Sequence, residues 1–137
     1  MSGPSQYSKE AFLNWLTGQS PMPSVPTPYL ALFTTAPSDD TGAGAVEVSG
    51  GNYARLAAGS GWNAASGNTP STVSNSATQA FVTAGTNWGT IVAMGAYDAV
   101  SGGNFLWWAP LTTHQSVLTG ANVSFAGGSP GQITLTL

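Results

Sequence analysis

Apart from its tyrosines, this 137-residue chain carries one histidine, five carboxylates and two cations with which to do proton chemistry. General acid–base catalysis needs such groups brought together around a substrate. His114 follows Thr112-Thr113 in what reads as a turn or strand edge, where a solvated or hydrogen-bonded imidazole is expected. Gly127-Gly128-Ser129-Pro130-Gly131 matches G-x-S-x-G formally. A nucleophile elbow needs a strand before the serine, a helix after it, and the acid and histidine further along. Here the segment runs into a terminal strand and His114 comes earlier, so a hairpin turn is expected. Asp39 and Asp40 are adjacent, whereas glycoside hydrolysis sets two carboxyls across a cleft. Asp39-Asp40-Thr41-Gly42 also lacks the ligand spacing of a calcium loop, and reads as a turn in which side chains bond nearby backbone. Glu47 and Asp98 show no sign of a catalytic partner. Lys9 is the only lysine and no glycine-rich phosphate loop is present. With no cysteine and one histidine the usual zinc sets are excluded. No catalytic, cofactor or metal residue is assigned, and a non-enzyme is expected.

Charge is the most unusual property of the chain. Only 5% of residues are charged, against roughly a quarter in an ordinary soluble domain. Apolar residues reach 42%, including five tryptophans, so the chain can build a core. Its surface must then be Ser, Thr, Asn, Gln and Gly, which are buried in a contact without desolvating charge. That suits a protein whose surface is taken up by neighbouring subunits; a neutral monomer is the alternative. Two cations are too few for a nucleic acid or an anionic membrane. No run of eighteen apolar residues is present, so no membrane helix is expected. Met1-Ser2-Gly3-Pro4 lacks the pattern of a secretory signal, which points to synthesis in the cytoplasm.

The elements that must position these residues begin with one helix. Ser8 reads as its N-cap, Glu10 as a first-turn acid and Gly18 as its C-terminal glycine. Phe12, Trp15 and Leu16 form an apolar stripe, with Leu13 beside it. The helix either docks on the domain's own sheet or packs on a neighbouring subunit. Residues 19–28 hold four prolines in eight positions, an extended and semi-rigid connector. Residues 1–28 are therefore read as an arm and 29–137 as the folded domain. Strands are expected over 29–34, 52–57, 77–83, 90–97 and 104–109, around Ser116, over 121–125 and over 132–137. Residues 58–75 read as a long loop anchored by Trp62, and 100–103 as a hairpin turn. Seven or eight short strands indicate an all-β fold, a β-sandwich or jelly roll with one short N-terminal helix.

Trp107 and Trp108 must point to opposite faces of their strand. One faces the core and the other faces out unless a further layer, such as the N-terminal helix, covers it. An outward tryptophan suits a protein interface, with a sugar-stacking platform as the rival. Phe12, Trp15, Leu16, Trp107 and Trp108 are the candidate interface residues. Glu47 and Arg55 flank the Gly50-Gly51 turn with opposite charges. Their expected role is an ion pair across a hairpin, with a bridge from Arg55 to a neighbour as the alternative.

Two groups of strings carry a resemblance. The first is Tyr29-Leu30-Ala31-Leu32-Phe33-Thr34-Thr35-Ala36-Pro37 with Glu47-Val48-Ser49-Gly50-Gly51-Asn52-Tyr53-Ala54-Arg55. The second is Trp88-Gly89-Thr90-Ile91, Gly95-Ala96-Tyr97-Asp98-Ala99 and Ser101-Gly102-Gly103-Asn104-Phe105-Leu106. From Ser8 to the C-terminus the chain resembles small tailed-bacteriophage virion proteins, described as tail-fibre-like or as head-decoration (cement) proteins. The resemblance implies a structural subunit of the virion, assembled in the host cytoplasm. Its partners would be other virion subunits, either the major capsid protein or tail proteins, and further copies in a homo-oligomer. A capsid decoration or cement role is the leading expectation. The alternatives are a tail or tail-fibre component and a carbohydrate-binding host-attachment module.

Overall fold

The computed structural model describes residues 3–137; Met1 and Ser2, which belong to the stretch read for a secretory signal, lie outside them. The fold is mostly β with one N-terminal helix. In chain order the elements are β1 (Gly3–Pro4), α1 (Gln6–Leu16), β2 (Tyr29–Thr35), β3 (Val46–Glu47), β4 (Leu56–Ala57) and β5 (Thr72–Ser74). They continue with β6 (Gln79–Ala80), β7 (Gly89–Tyr97), β8 (Phe105–Val117), β9 (Ser124–Phe125) and β10 (Thr134–Thr136).

The long strands hold the fold together. An antiparallel six-stranded sheet runs β1-β8-β7-β2-β3, and β4 also pairs with β2. Two separate two-stranded ribbons, β5–β10 and β6–β9, complete the strands. The expectation of a sandwich or jelly roll is therefore met only as far as an all-β class, because the described strands form three separate sheets. Strands of two or three residues carry no alternation long enough to specify a partner, which is why their pairing was not legible.

Both faces of the central strands are buried. Leu30, Ala31, Leu32 and Phe33 in β2 are all fully shielded. Alternation sends Leu30 and Leu32 into a large cluster with Ile91, Met94, Phe81, Trp88 and Ile133. Ala31 and Phe33 face the other way, into a smaller cluster with Ala93, Phe105 and Trp108. Ala36 and Ala45, from the connection between β2 and β3, pack against that second cluster. A loop, rather than a second sheet, thus contributes to covering the smaller face.

The cap of helix α1 lies three residues before the expected one. Ser5, not Ser8, is the N-cap, and its Oγ accepts from the Ser8 N–H at 3.1 Å. Ser5 Oγ also donates to the Phe105 carbonyl, and the Ser5 N–H donates to the Leu106 carbonyl at 2.8 Å. The cap is thereby fixed by β8, a partner about a hundred residues away that no local rule could foresee. With the helix starting at Gln6, Glu10 falls outside the first turn. The C-terminal end is as expected. Gly18 takes φ +73°, its N–H donates to Trp15 O and that of Gln19 to Asn14 O, which is the Schellman pattern.

Candidate interaction surface

Among the described residues the groups capable of chemistry are held in separate structural contacts and are not gathered into one site. His114 is exposed within β8. Asp39 accepts from the Thr41 N–H at 2.8 Å and from the Thr41 hydroxyl, the turn expected there, and the hydroxyl bond holds its carboxyl below the usual range. Asp40 pairs with Lys9, tying α1 to that same turn. Asp98 closes the β7–β8 hairpin by accepting from the Asn104 N–H at 2.6 Å and from its side-chain amide at 2.8 Å. Gly127–Gly131 forms a closed loop rather than an elbow. A Cβ on Gly131 would lie 2.0 Å from the Asn75 carbonyl oxygen, so packing explains that glycine. Among the described residues no three His, Asp or Glu side chains come close enough to hold a metal ion.

Glu47 and Arg55 do form an ion pair. β3 and β4 lie end to end along the edge of β2 and do not pair with each other. Arg55 forks onto Glu47, with Nη2 2.9 Å from Oε1 and Nε 3.0 Å from Oε2. Its Nη1 donates to the carbonyls of Ala99 (3.0 Å) and Gly102 (2.8 Å), and its guanidinium lies 3.6 Å from the Tyr97 ring centre. Tyr53 donates to Glu47 Oε2 at 2.7 Å and accepts from the Leu32 N–H at 3.1 Å. This cluster locks the β7–β8 hairpin tip to the opposite edge of the sheet. Burial opposes the charge on Arg55, but the bonds and charge of Glu47 outweigh it and hold the guanidinium above its ordinary pKa.

Burial, and then the hydrogen bond to Glu47, push the Tyr53 phenol well above its ordinary 10.0. Burial also raises Tyr97. Both phenols bind their protons more tightly in the folded state. Their contribution is complete below about pH 10 and is lost as pH rises through the folded values. Urea unfolding should therefore show stability falling above pH 10, by up to about 1.4 kcal/mol per pH unit from the largely buried Tyr53 and by less from the more solvated Tyr97. Tyr53→Phe should flatten part of that slope; an unchanged slope would contradict this role for Tyr53.

Interface candidates divide by exposure. Trp108 is buried beside Phe33 and Phe105, and Trp107 is half-buried against the larger cluster. Neither stands out from the surface as a free tryptophan would. The helix is different. None of its residues is buried, and every position from Leu13 to Ser24 is exposed. Leu13, Trp15 and Leu16 are more than half exposed and Met22 nearly so, while Phe12 is partly shielded with its ring 5.9 Å from that of Trp15. Met22 was not singled out from the sequence; an apolar residue between two prolines was the available signal. No helix among the described residues is long and apolar enough to cross a membrane.

The family model described as podophage GP4 fiber I protein gp80 matches residues 3–136. The chain belongs to this family. No curated protein matches it. A podophage fibre I family member is a non-enzymatic structural protein of the phage virion, and membership favours the tail-fibre alternative over the capsid decoration or cement role expected first. The neutral composition and exposed helix of this fibre I chain accord with a life among other subunits.

Proposed function

We propose that the chain is a tail-fibre component of the virion that joins its neighbours through its N-terminal segment, residues 1–28, with 29–137 as the folded body. The carrying observation is the uninterrupted exposure from Leu13 to Ser24, apolar side chains included. A stable monomer gains nothing from holding Leu13, Trp15 and Leu16 in water, and such patches mark contact sites. The start of the segment is clamped: β1 pairs with β8 at Trp107 and Trp108, and Ser8 donates to the Leu106 carbonyl at 2.7 Å. That clamp aims the rest of the helix outward, and the proline connector limits the entropy lost when it docks. Phe12, Trp15 and Leu16 anchor the contact, joined by Leu13. Trp107 can serve only at its exposed edge, and Trp108 acts by supporting β8. Partners are other tail proteins and further copies of the same chain.

Replacing Leu13, Trp15 and Leu16 together by serine removes mainly exposed apolar surface, with the Phe12–Trp15 contact and some helix propensity, so the melting temperature should fall by no more than about 5 °C. Losing about 3 kcal/mol of apolar contact corresponds to roughly a hundredfold weaker docking. Purified particles assembled with this variant should therefore carry little of it, measured by quantitative immunoblot. Incorporation at the native level would show that the arm is not the attachment.

A further inference from the structure

We propose that the seam between β8 and β10 is a receptor groove for helix α1 of a second copy of the chain. The inference rests on the reading of residues 1–28 as the contact segment and names the surface that segment meets. β8 belongs to the six-stranded sheet and β10 to the β5–β10 ribbon, and no described strand pairs across the gap between them. An open groove of about 460 Å³ lies there, walled by β1 and the start of β8 on one side and by β5 and β10 on the other. That volume falls within the range of about 300–1,000 Å³ that encloses a small ligand, room for roughly two or three large side chains. Leu106, Trp107, Val73 and Leu135 give the groove an apolar surface. None of its lining side chains among the described residues is charged.

The occupant follows from what the molecule leaves in water. Leu13, Trp15, Leu16 and Met22 stand exposed within ten residues, whereas the other exposed large hydrophobics are scattered singly along the chain. Scattered residues need no partner, but a concentrated patch marks a contact. Residues 11–24 carry no charge. A partner surface bearing unpaired charges would lose their hydration against this segment and gain nothing in return. The groove is neutral and apolar, which is the complement the segment requires.

The helix does not fill the groove of its own copy. Ser8 lines the groove and is tied to the Leu106 carbonyl, so α1 departs from the rim. Leu13 to Leu16 lie roughly 8–12 Å further along the helix axis. None of residues 9–28 lines the groove, and the chain meets the larger core cluster again at Val25. The stripe therefore stands clear of its own groove. Every copy carries both surfaces, so one contact repeated between copies covers both. In that contact Trp15 and its neighbours enter beside the open edge of Trp107, which is half-buried in β8. A large aromatic anchor in a neutral pocket is the arrangement that concentrates binding energy.

The test is complementation between two variants of the full chain, read by analytical ultracentrifugation. The native chain should self-associate with a dissociation constant of about 10 µM or tighter. The arm variant with serine at Leu13, Trp15 and Leu16, and a groove variant carrying Ala65→Glu and Thr136→Glu, should each associate about a hundredfold more weakly. Ala65 and Thr136 line the groove at exposed positions, so the fold should keep its native circular dichroism. Mixed together, the two variants should pair, because one retains the groove and the other the arm. The chain has no cysteine, which allows a check that needs neither variant. Leu16→Cys in one preparation and Ala65→Cys in another should be joined by a short bismaleimide. The proposal is overturned if the native chain stays monomeric at about 100 µM, if the groove variant associates as the native chain does, or if the mixture stays monomeric. Absence of the mixed cross-linked product also overturns it. A groove variant that enters particles at the native level while the arm variant does not would place the arm on another tail protein, ending this proposal and leaving the arm's role intact.

Discussion

Asn75→Ala should lower the stability of the fold by about 3–5 kcal/mol, a large part of the 5–15 kcal/mol typical of a domain. Asn75 is fully buried, and its side chain joins segments that are far apart in the chain. The Nδ2 group donates to the carbonyls of Ala77 (3.0 Å), Phe125 (3.1 Å) and Ala126 (3.1 Å). Its Oδ1 accepts from the Ile133 N–H at 2.8 Å. The two small ribbons, β5–β10 and β6–β9, are thus joined through one amide. Truncation strands a buried N–H and three carbonyls, each of which costs more unpaired than the bond contributed when made. Asn75→Asp should be worse than alanine, because it sets a carboxylate against three carbonyl oxygens. Urea denaturation measures both, and a loss below about 1 kcal/mol for Asn75→Ala would remove this residue from the account.

The second large effect belongs to Arg55, whose side chain is only 9% exposed. Arg55→Met keeps the length of the stem but leaves Glu47 without its cation and the Ala99 and Gly102 carbonyls without a donor. Breaking a largely buried, hydrogen-bonded pair of this kind should cost about 2–4 kcal/mol, discounted because Glu47 is partly solvated. Arg55→Lys should recover only part of it, since an ammonium cannot make the fork to Glu47 and still reach both carbonyls. Stability equal to the native protein in either variant would show that the hairpin tip holds without the cluster.

Sequence reasoning located what depends on long apolar runs and on turn chemistry. β2 and β7 stand where Tyr29–Thr34 and Thr90–Tyr97 place them, and the Val100–Gly103 turn, the Asp39–Thr41 turn and the Gly18 stop all form. The opposite charges of Glu47 and Arg55 pointed to their pairing. What stayed hidden depends on distant contacts. Pro110 reads as the end of a strand, yet β8 continues through it. Among the described residues its outer edge is paired only at Trp107 and Trp108, so beyond them a missing N–H costs little. Which of Trp107 and Trp108 faces out is left open by the sequence, and the layer that packs on the cluster of Trp108 is the β2–β3 loop rather than the helix named as an example. Nothing marks Asn75 among the asparagines and serines around it, because all its side-chain partners but Ala77 lie in backbone fifty or more residues further on. The loop 58–75 is anchored by Trp62 as expected, its Nε1 donating to the Ala58 carbonyl at 2.6 Å. β5 within that loop is too short to have been read.

The helix is where the candidate surface was most legible. An apolar stripe with a glycine stop and a proline connector gave two outcomes, docking inward or reaching outward. In the structure Trp15 and Leu16 of the stripe stand exposed beside Leu13, Phe12 is partly shielded, and the clamp to the sheet lies at the start of the helix. Family membership narrows the setting to a phage virion and favours the tail.

Localisation of the protein on intact particles tests the central claim most directly. Antibody raised against the folded chain and coupled to gold should label native virions at the tail, where fibres attach, and leave the head shell bare. Gold distributed over the capsid surface, in the many copies of a shell protein, would contradict the tail-fibre assignment and return the protein to a decoration role.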